Sequence, residues 1–167
     1  MSKTTIREFI LPIDSPQHLV REFHTKYRFA MDMLLKGGKK HKKWYERATA
    51  RLRLSVEETS ELAAALHSKD VIGIADALAD LLYVVYGTGV TFGLDLDVLL
   101  REVHRSNMTK DVGKEKPHKG KKYSPPNLRP LILGMLRNER VTGKHVSTWD
   151  AMWIERCTTK PAISTGH

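Results

Sequence analysis

The chain has 167 residues, 41% hydrophobic and 28% charged, a balance that fits one globular domain and excludes a disordered or fibrous chain. Twenty-eight Lys and Arg against 19 Asp and Glu give a formal charge of +9, which suits a polyanionic partner such as nucleic acid, anionic membrane or a small phosphorylated molecule. No unbroken apolar run reaches the roughly 18 residues of a membrane span, residues 1–16 (MSKTTIREFILPIDSP) lack the long apolar core of a secretory signal, and the single cysteine, Cys157, suits a reducing cytoplasm.

In chain order, 16–35 (PQHLVREFHTKYRFAMDMLL) reads as a helix, with Ser15 as N-cap, Pro16 in the first turn and Leu19, Phe23, Tyr27, Ala30 and Leu34 at helical spacing. Gly37 and Gly38 end it, and a basic stretch from Lys36 to Lys43 follows. The second helix spans 44–67, with an apolar stripe of Ala48, Leu52, Val56, Leu62 and Leu66. Ser68 or Asp70 caps the third, about 70–91, which is apolar on nearly every side except at Asp76 and Asp80 and is expected as the buried central helix. Gly93 closes it and Asp95 caps the fourth, 95–108, whose Leu96, Leu99, Leu100 and Val103 are expected to face inward. A Lys- and Gly-rich segment, TKDVGKEKPHKGKKYSPPN, reads as an ordered loop or flap, and helical pieces at about 128–141 and 147–157 finish the chain. No β pattern is sustained. The expected fold is an all-α bundle of about four core helices, a single domain over 1–167 with its core at about 16–110 and a basic flap and C-terminal extension over 111–167.

The segment SVEETSEL sets Glu57 and Glu58 four and three residues before Glu61, spacings that share one helix face. Asp76 and Asp80, also four apart, share a face of the next helix, and a short turn makes the two helices antiparallel neighbours. Carboxylates in apolar surroundings must be protonated, paired or bound to a cation. A solvated acidic face is the plain alternative for the glutamates, and pairing with Arg51 or Arg53 for the aspartates. Together the two pairs favour a site for a hard divalent cation with all-oxygen ligands, Mg²⁺ or Mn²⁺ beside phosphates.

EETSEL followed by DALADLLYVVYGTGVTFGLDLDVLLREVHRSNMTK resembles the phosphoribosyl-ATP pyrophosphohydrolase and MazG-like superfamily of all-α nucleoside-triphosphate pyrophosphatases. VREFHTKY and KGKKYSPPNL resemble its small phage- and bacteria-borne branch, the MazZ type among them, and the likeness covers about residues 16–128. The resemblance implies an enzyme that converts a (d)NTP to the (d)NMP and pyrophosphate by attack of water at the α-phosphate. It implies Mg²⁺ or Mn²⁺, two or three ions per site, and a homodimer or dimer of dimers in the cytoplasm, the host's if phage-encoded.

Onto this chain the family's E-x-x-E carries over as Glu58 and Glu61, with Glu57 as an added acid. The last acid of its second pair is Asp80. Ala77 stands where that pair's other acid belongs, and Asp76 is the nearest substitute. Glu57 and Glu61 are the expected catalytic residues, and Glu57, Glu58, Glu61, Asp76 and Asp80 the metal ligands. By the same resemblance Arg105, Asn107 and Lys110 in RSNMTK, with Lys122 and Tyr123, are expected to bind substrate, and Lys114 and Lys119 to close over it in the flap. His24 and His104 read rather as structural or surface histidines, and Phe23, Tyr27 and Trp44 as aromatics more often found in a core than under a base. For the base, dGTP or GTP and dUTP stay open, and the likeness to the phage branch favours a purine deoxynucleotide.

Two other readings use the same residues. One is phosphoribosyl-ATP itself as substrate. The other is a non-enzymatic module that binds nucleic acid through KGGKKHKK and KEKPHKGKK, or dimerises only. Clustered carboxylates between those stripes repel DNA, and neither nucleic acid nor membrane is the expected partner. Trp149, Met152, Trp153 and Ile154 in the last helical piece read as an oligomer contact or a cover on the core.

Overall fold

The computed structural model describes residues 15–34 and 43–141. Five α-helices follow in order among them: α1 (Pro16–Lys26), α2 (Trp44–Ser68), α3 (Val71–Phe92), α4 (Leu96–Asn107) and α5 (Leu128–Val141). No strand is present among these residues, so the all-α expectation holds; the nearest thing is one antiparallel bridge, Asp111 with His118, inside the basic flap. The basic stretch at 36–42, the helical piece at 147–157 and Cys157 lie outside the described residues.

Helix ends follow their capping residues. Ser15 Oγ accepts from the His18 amide, Asp70 from Ile72 and Gly73, and Asp95 from Val98, while Lys69 and Gly93 stop α2 and α3 in the left-handed region at φ 59° and 78°. With Lys69 left-handed and Asp70 already capping, α2 reverses directly into α3, and these two helices form the most extensive contact in the fold. α1 lies against α3 and α4, and α5 against α4.

The first helix is shorter than its periodicity suggests. α1 stops at Lys26, and the chain turns at Arg28 (φ 56°) and Asp32 (φ 58°) to run back along the end of α3. The amides of Asp32, Met33 and Leu34 donate to the carbonyls of Val90, Thr91 and Phe92 at 3.1, 3.0 and 3.3 Å. The carbonyls of Thr91 and Phe92 at the end of α3 would otherwise lack partners, while that of Val90 also accepts from the Gly93 amide, and that satisfaction outweighs continuation of α1. Asp32 is held in place by two hydrogen bonds from the Arg21 guanidinium, at 3.2 and 2.9 Å.

Inward faces also differ from the apolar stripes. α1 buries Gln17, Val20 and His24, whereas Leu19, Phe23 and Tyr27 are exposed. The core proper is Val20, Tyr86 and Val90, flanked by Met31 and Leu96. Gln17 bridges to the α3–α4 turn, donating to Leu94 O and accepting from the Leu96 amide, each at 3.1 Å. α2 turns Arg51, Ser55, Glu58, Leu62 and Ala65 toward partial shelter while Leu52, Val56 and Leu66 stay exposed. α3 is buried only in its C-terminal half, together with Ala77; Val71, Ile72, Leu78 and Leu82 are open, as is Leu100 on α4. α3 is also, by length and composition, long and apolar enough to cross a membrane, contrary to the expectation that no segment is. Only two aspartates interrupt it, and its packing against α1 and α2 marks it as a bundle helix.

Met33 is among the most deeply buried side chains, at 2% exposure. Truncation there removes contacts that a loop residue would not ordinarily make. Met33→Ala should cost about 2–5 kcal/mol, read as a lower urea midpoint with an unchanged denaturant slope at fixed protein concentration.

Candidate active site

The α2–α3 hairpin brings the predicted carboxylates onto facing helices. Glu58 is partly sheltered; Glu57, Glu61, Asp76 and Asp80 are exposed, so the aspartates are not the buried charges that the apolar run around them suggested. The Glu58 carboxyl is pushed above its usual range, first by partial burial and then by the charges of Glu61, Asp80, Glu57 and Asp76. Glu58 is therefore the point where all five acids feel one another. Ala77, at the position where the family pattern has an acid, is buried at 4% exposure and fills a packing role.

None of the five is neutralised by an ion pair among the described residues. Arg51, one expected partner for the aspartates, instead donates from Nε to Thr88 Oγ1 at 3.1 Å and from Nη2 to the Val84 carbonyl. Among the described residues no three acidic or imidazole side chains stand close enough to hold a metal ion. The donor set nonetheless suits a hard cation: five oxygen ligands, no soft ligand, and mutual repulsion that a positive charge relieves. Four of the five side chains are open to solvent.

The expected phosphate-binding residues form a separate group. Arg105 chelates Glu102 with two bonds of 2.8 Å and also donates to Ser124 Oγ and Pro125 O, each at 3.1 Å. Glu102 in turn accepts from the Asn127 amide at 2.7 Å. Arg105 thus fastens the far end of the flap to α4. Tyr123 is half-buried, its hydroxyl accepting from Ser106 Oγ at 3.4 Å, with Lys119 Nζ 5.2 Å from its ring centroid. Asn107 and Lys122 are exposed and Lys110 is half-buried, and Lys114 is exposed. No hydrogen bond or ion pair joins these side chains to the carboxylates among the described residues. His104 lines an open cleft with Ser15, Asp97, Leu100 and Arg101.

A smaller pocket of about 160 Å³ opens between the 29–30 segment, α2 and α3, lined by His24, Phe29, Arg47, Arg51, Leu54 and Thr91. Phe29 stands edge-on to His24 with centroids 5.5 Å apart. Burial holds His24 below the usual histidine range, favouring the neutral ring, and lowers Arg51 as well. At Gly87 an added Cβ would stand 2.5 Å from Arg51 Nη2, too close without a shift of that guanidinium, and 3.2 Å from His24 Nε2, a tight contact. Of these residues the sequence pointed only to His24, as a partly buried structural histidine that could also approach a base, and to Arg51, as a partner for the aspartates. Phe29 and Arg47 carry no motif, and only the reversal at Arg28 brings Phe29 beside α2. The aromatics singled out from the sequence do not line the pocket themselves: Phe23 and Tyr27 pack together at 4.6 Å and back Phe29 at 5.8 and 6.1 Å, and Trp44 packs on Phe92 at 4.8 Å.

The Glu102 carboxylate is drawn down to about 2 by the hydrogen bonds from Arg105 and the Asn127 amide. Its folded pKa lies below the ordinary 4.5, so the clasp contributes stability above about pH 4.5 that is lost as pH falls through about 2. A Glu102 side-chain resonance titrating near pH 2 would confirm the clasp. Glu102→Gln should speed proteolysis of residues 108–127 at neutral pH and leave the α2–α3 hairpin intact.

Over 51 residues the chain is 47% identical to the uncharacterized protein L479 of Acanthamoeba polyphaga mimivirus, a stretch covering 29% of this chain and 20% of the relative. The match thus spans about a fifth of that curated relative's length. Residues 13–107, which hold the whole hairpin and all five carboxylates, match the phosphoribosyl-ATP pyrophosphohydrolase family, and the chain belongs to that family, within the MazG-like all-α superfamily of nucleotide pyrophosphohydrolases.

Proposed function

We propose that the chain is a metal-dependent nucleoside-triphosphate pyrophosphohydrolase that cleaves a (d)NTP between the α- and β-phosphates to give the (d)NMP and pyrophosphate. The observation that carries this reading is the set of five unneutralised carboxylates on α2 and α3, with Glu58 raised first by partial burial and then by the other four. Glu58, Glu61 and Asp80, with Asp76, would hold Mg²⁺ or Mn²⁺, which supplies positive charge beside the phosphates. Glu57, at the edge of the cluster and exposed, orients a water for in-line attack on the α-phosphorus and accepts its proton, and Glu61 shares that task. Asn107 at the end of α4, with Lys110 and Lys122 beyond it, offers donors to the departing pyrophosphate. Positioning and charge neutralisation do most of the work, as in phosphoryl transfer generally.

The same reading includes a second copy of the chain. Leu52 (64% exposed), Val56 (56%), Ile72 (83%) and Leu82 (60%) leave both helices of the hairpin with uncovered apolar side chains. Surface of that kind marks an interaction site.

Phosphoribosyl-ATP, the substrate in the family's name, carries the same α–β phosphoanhydride and is the second reading. Incubation of the protein with each NTP, each dNTP and phosphoribosyl-ATP, with and without Mg²⁺ or Mn²⁺, separates them. Monophosphate and pyrophosphate from a triphosphate, only with metal, is the expected result; a diphosphate and inorganic phosphate would overturn attack at the α-phosphorus. Glu61→Ala should abolish turnover while changing stability by no more than about 0.5 kcal/mol, because Glu61 is a surface residue without partners. Full activity of that variant would remove Glu61 from the mechanism. Light scattering after gel filtration should give a mass at least twice the 19.0 kDa of the chain.

A further inference from the structure

The pocket of His24, Phe29, Arg47, Arg51, Leu54 and Thr91 lies on the same face of the hairpin as the carboxylates. On α2, Arg51, Leu54, Glu58 and Glu61 follow at spacings of three, four and three; on α3, Asp80, Val84, Gly87 and Thr91 follow at four, three and four. Each series forms one helix stripe. At a rise of 1.5 Å per residue, Leu54 lies about 6 Å along α2 from Glu58 and Arg51 about 10 Å. That is the order of separation a pentose imposes between a base and its α-phosphate.

The pocket's size and lining restrict what enters. A cavity of about 160 Å³ is close to the roughly 150 Å³ that accommodates benzene in a protein interior, so it admits one six-membered ring more readily than a fused bicycle. Phe29 and Leu54 supply apolar walls. Arg47 and Arg51 supply guanidinium groups that no carboxylate neutralises among the described residues. Arg51 is fixed by its bonds to Thr88 and Val84, with Gly87 beneath it leaving no room for a side chain. Guanidinium groups only donate. A ring edge bearing carbonyl oxygens satisfies them, and an edge bearing an amino group sets donor against donor.

We infer that this pocket is the base subsite, and that Arg47 and Arg51 select a pyrimidine with oxygen rather than an amino group at its 4-position. The inference rests on the carboxylate face being a triphosphate site and adds the class of base to it.

The test is kcat/KM with dUTP, dTTP, dCTP, dGTP and dATP, for the unaltered protein, Arg47→Met and Phe29→Ala. The unaltered protein should favour dUTP over dCTP and over both purine nucleotides by roughly tenfold or more. Arg47→Met should bring the dUTP to dCTP ratio toward one through loss on dUTP alone, a selectivity change that a folding defect would not produce. Phe29→Ala should weaken all pyrimidines through KM. A purine preference, or a dUTP to dCTP ratio unmoved by Arg47→Met, would overturn the inference while leaving the hydrolase reading in place. If no triphosphate is turned over, the hydrolase reading fails by itself, and NMR titration with dUMP and dCMP decides the pocket separately. Shifts at His24 and Phe29 with dUMP and not with dCMP uphold it, and equal or absent shifts refute it.

Discussion

The site depends on the register between α2 and α3. Two residues set it: Lys69 in the left-handed region, and Asp70, whose amide bonds back to Ala65 while its carboxylate caps the next helix. Because the reversal takes so few residues, every later pairing along the hairpin is fixed by the helical rise. Glu58 then lies within the field of Asp76 and Asp80, and Arg51 reaches Val84 and Thr88. An inserted residue in the turn would rotate one face relative to the other and separate both sets together.

Acidic and basic groups are sorted along that one face. The carboxylates occupy the half near the turn, and the guanidinium groups the half near α1. Mixing them would have produced ion pairs that cancel each other. Keeping them apart leaves negative charge where a cation can be held and positive charge where electronegative atoms can be received. Arg51 illustrates the device, since its bonds go to neutral oxygens and its charge is kept.

Much of this was legible in the sequence. Caps at Ser15, Asp70, Gly93 and Asp95 located helix ends closely because each satisfies local amides or carbonyls, and the four-residue spacings placed the acids on shared faces. What the sequence concealed depends on distant partners. The end of α1 is decided by the carbonyls of Val90 to Phe92, some sixty residues away in the chain by simple subtraction from Asp32 to Val90. The apolar stripe of α2 leaves Leu52, Val56 and Leu66 exposed, and α2 turns Arg51, Ser55, Glu58, Leu62 and Ala65 toward partial shelter instead. Periodicity identifies a face without saying which neighbour covers it. Arg105 is a ligand candidate only through the family resemblance, and its bonds to Glu102, Ser124 and Pro125 arise when the flap returns to α4.

The segment that caps α3 is joined to it mainly by main-chain bonds, from the amides of Asp32, Met33 and Leu34. A wall held in this way does not depend on the identity of the side chains it displays. Phe29 and Ala30, just upstream, line the pocket from this wall, opposite Arg47 and Ala50 on a helix surface. The frame and the lining are thus separable: positions 29, 30, 47 and 50 can be rewritten to reshape the cavity while the scaffold persists. Divergence of selectivity among copies of this architecture therefore requires only substitutions, with no insertion or new element.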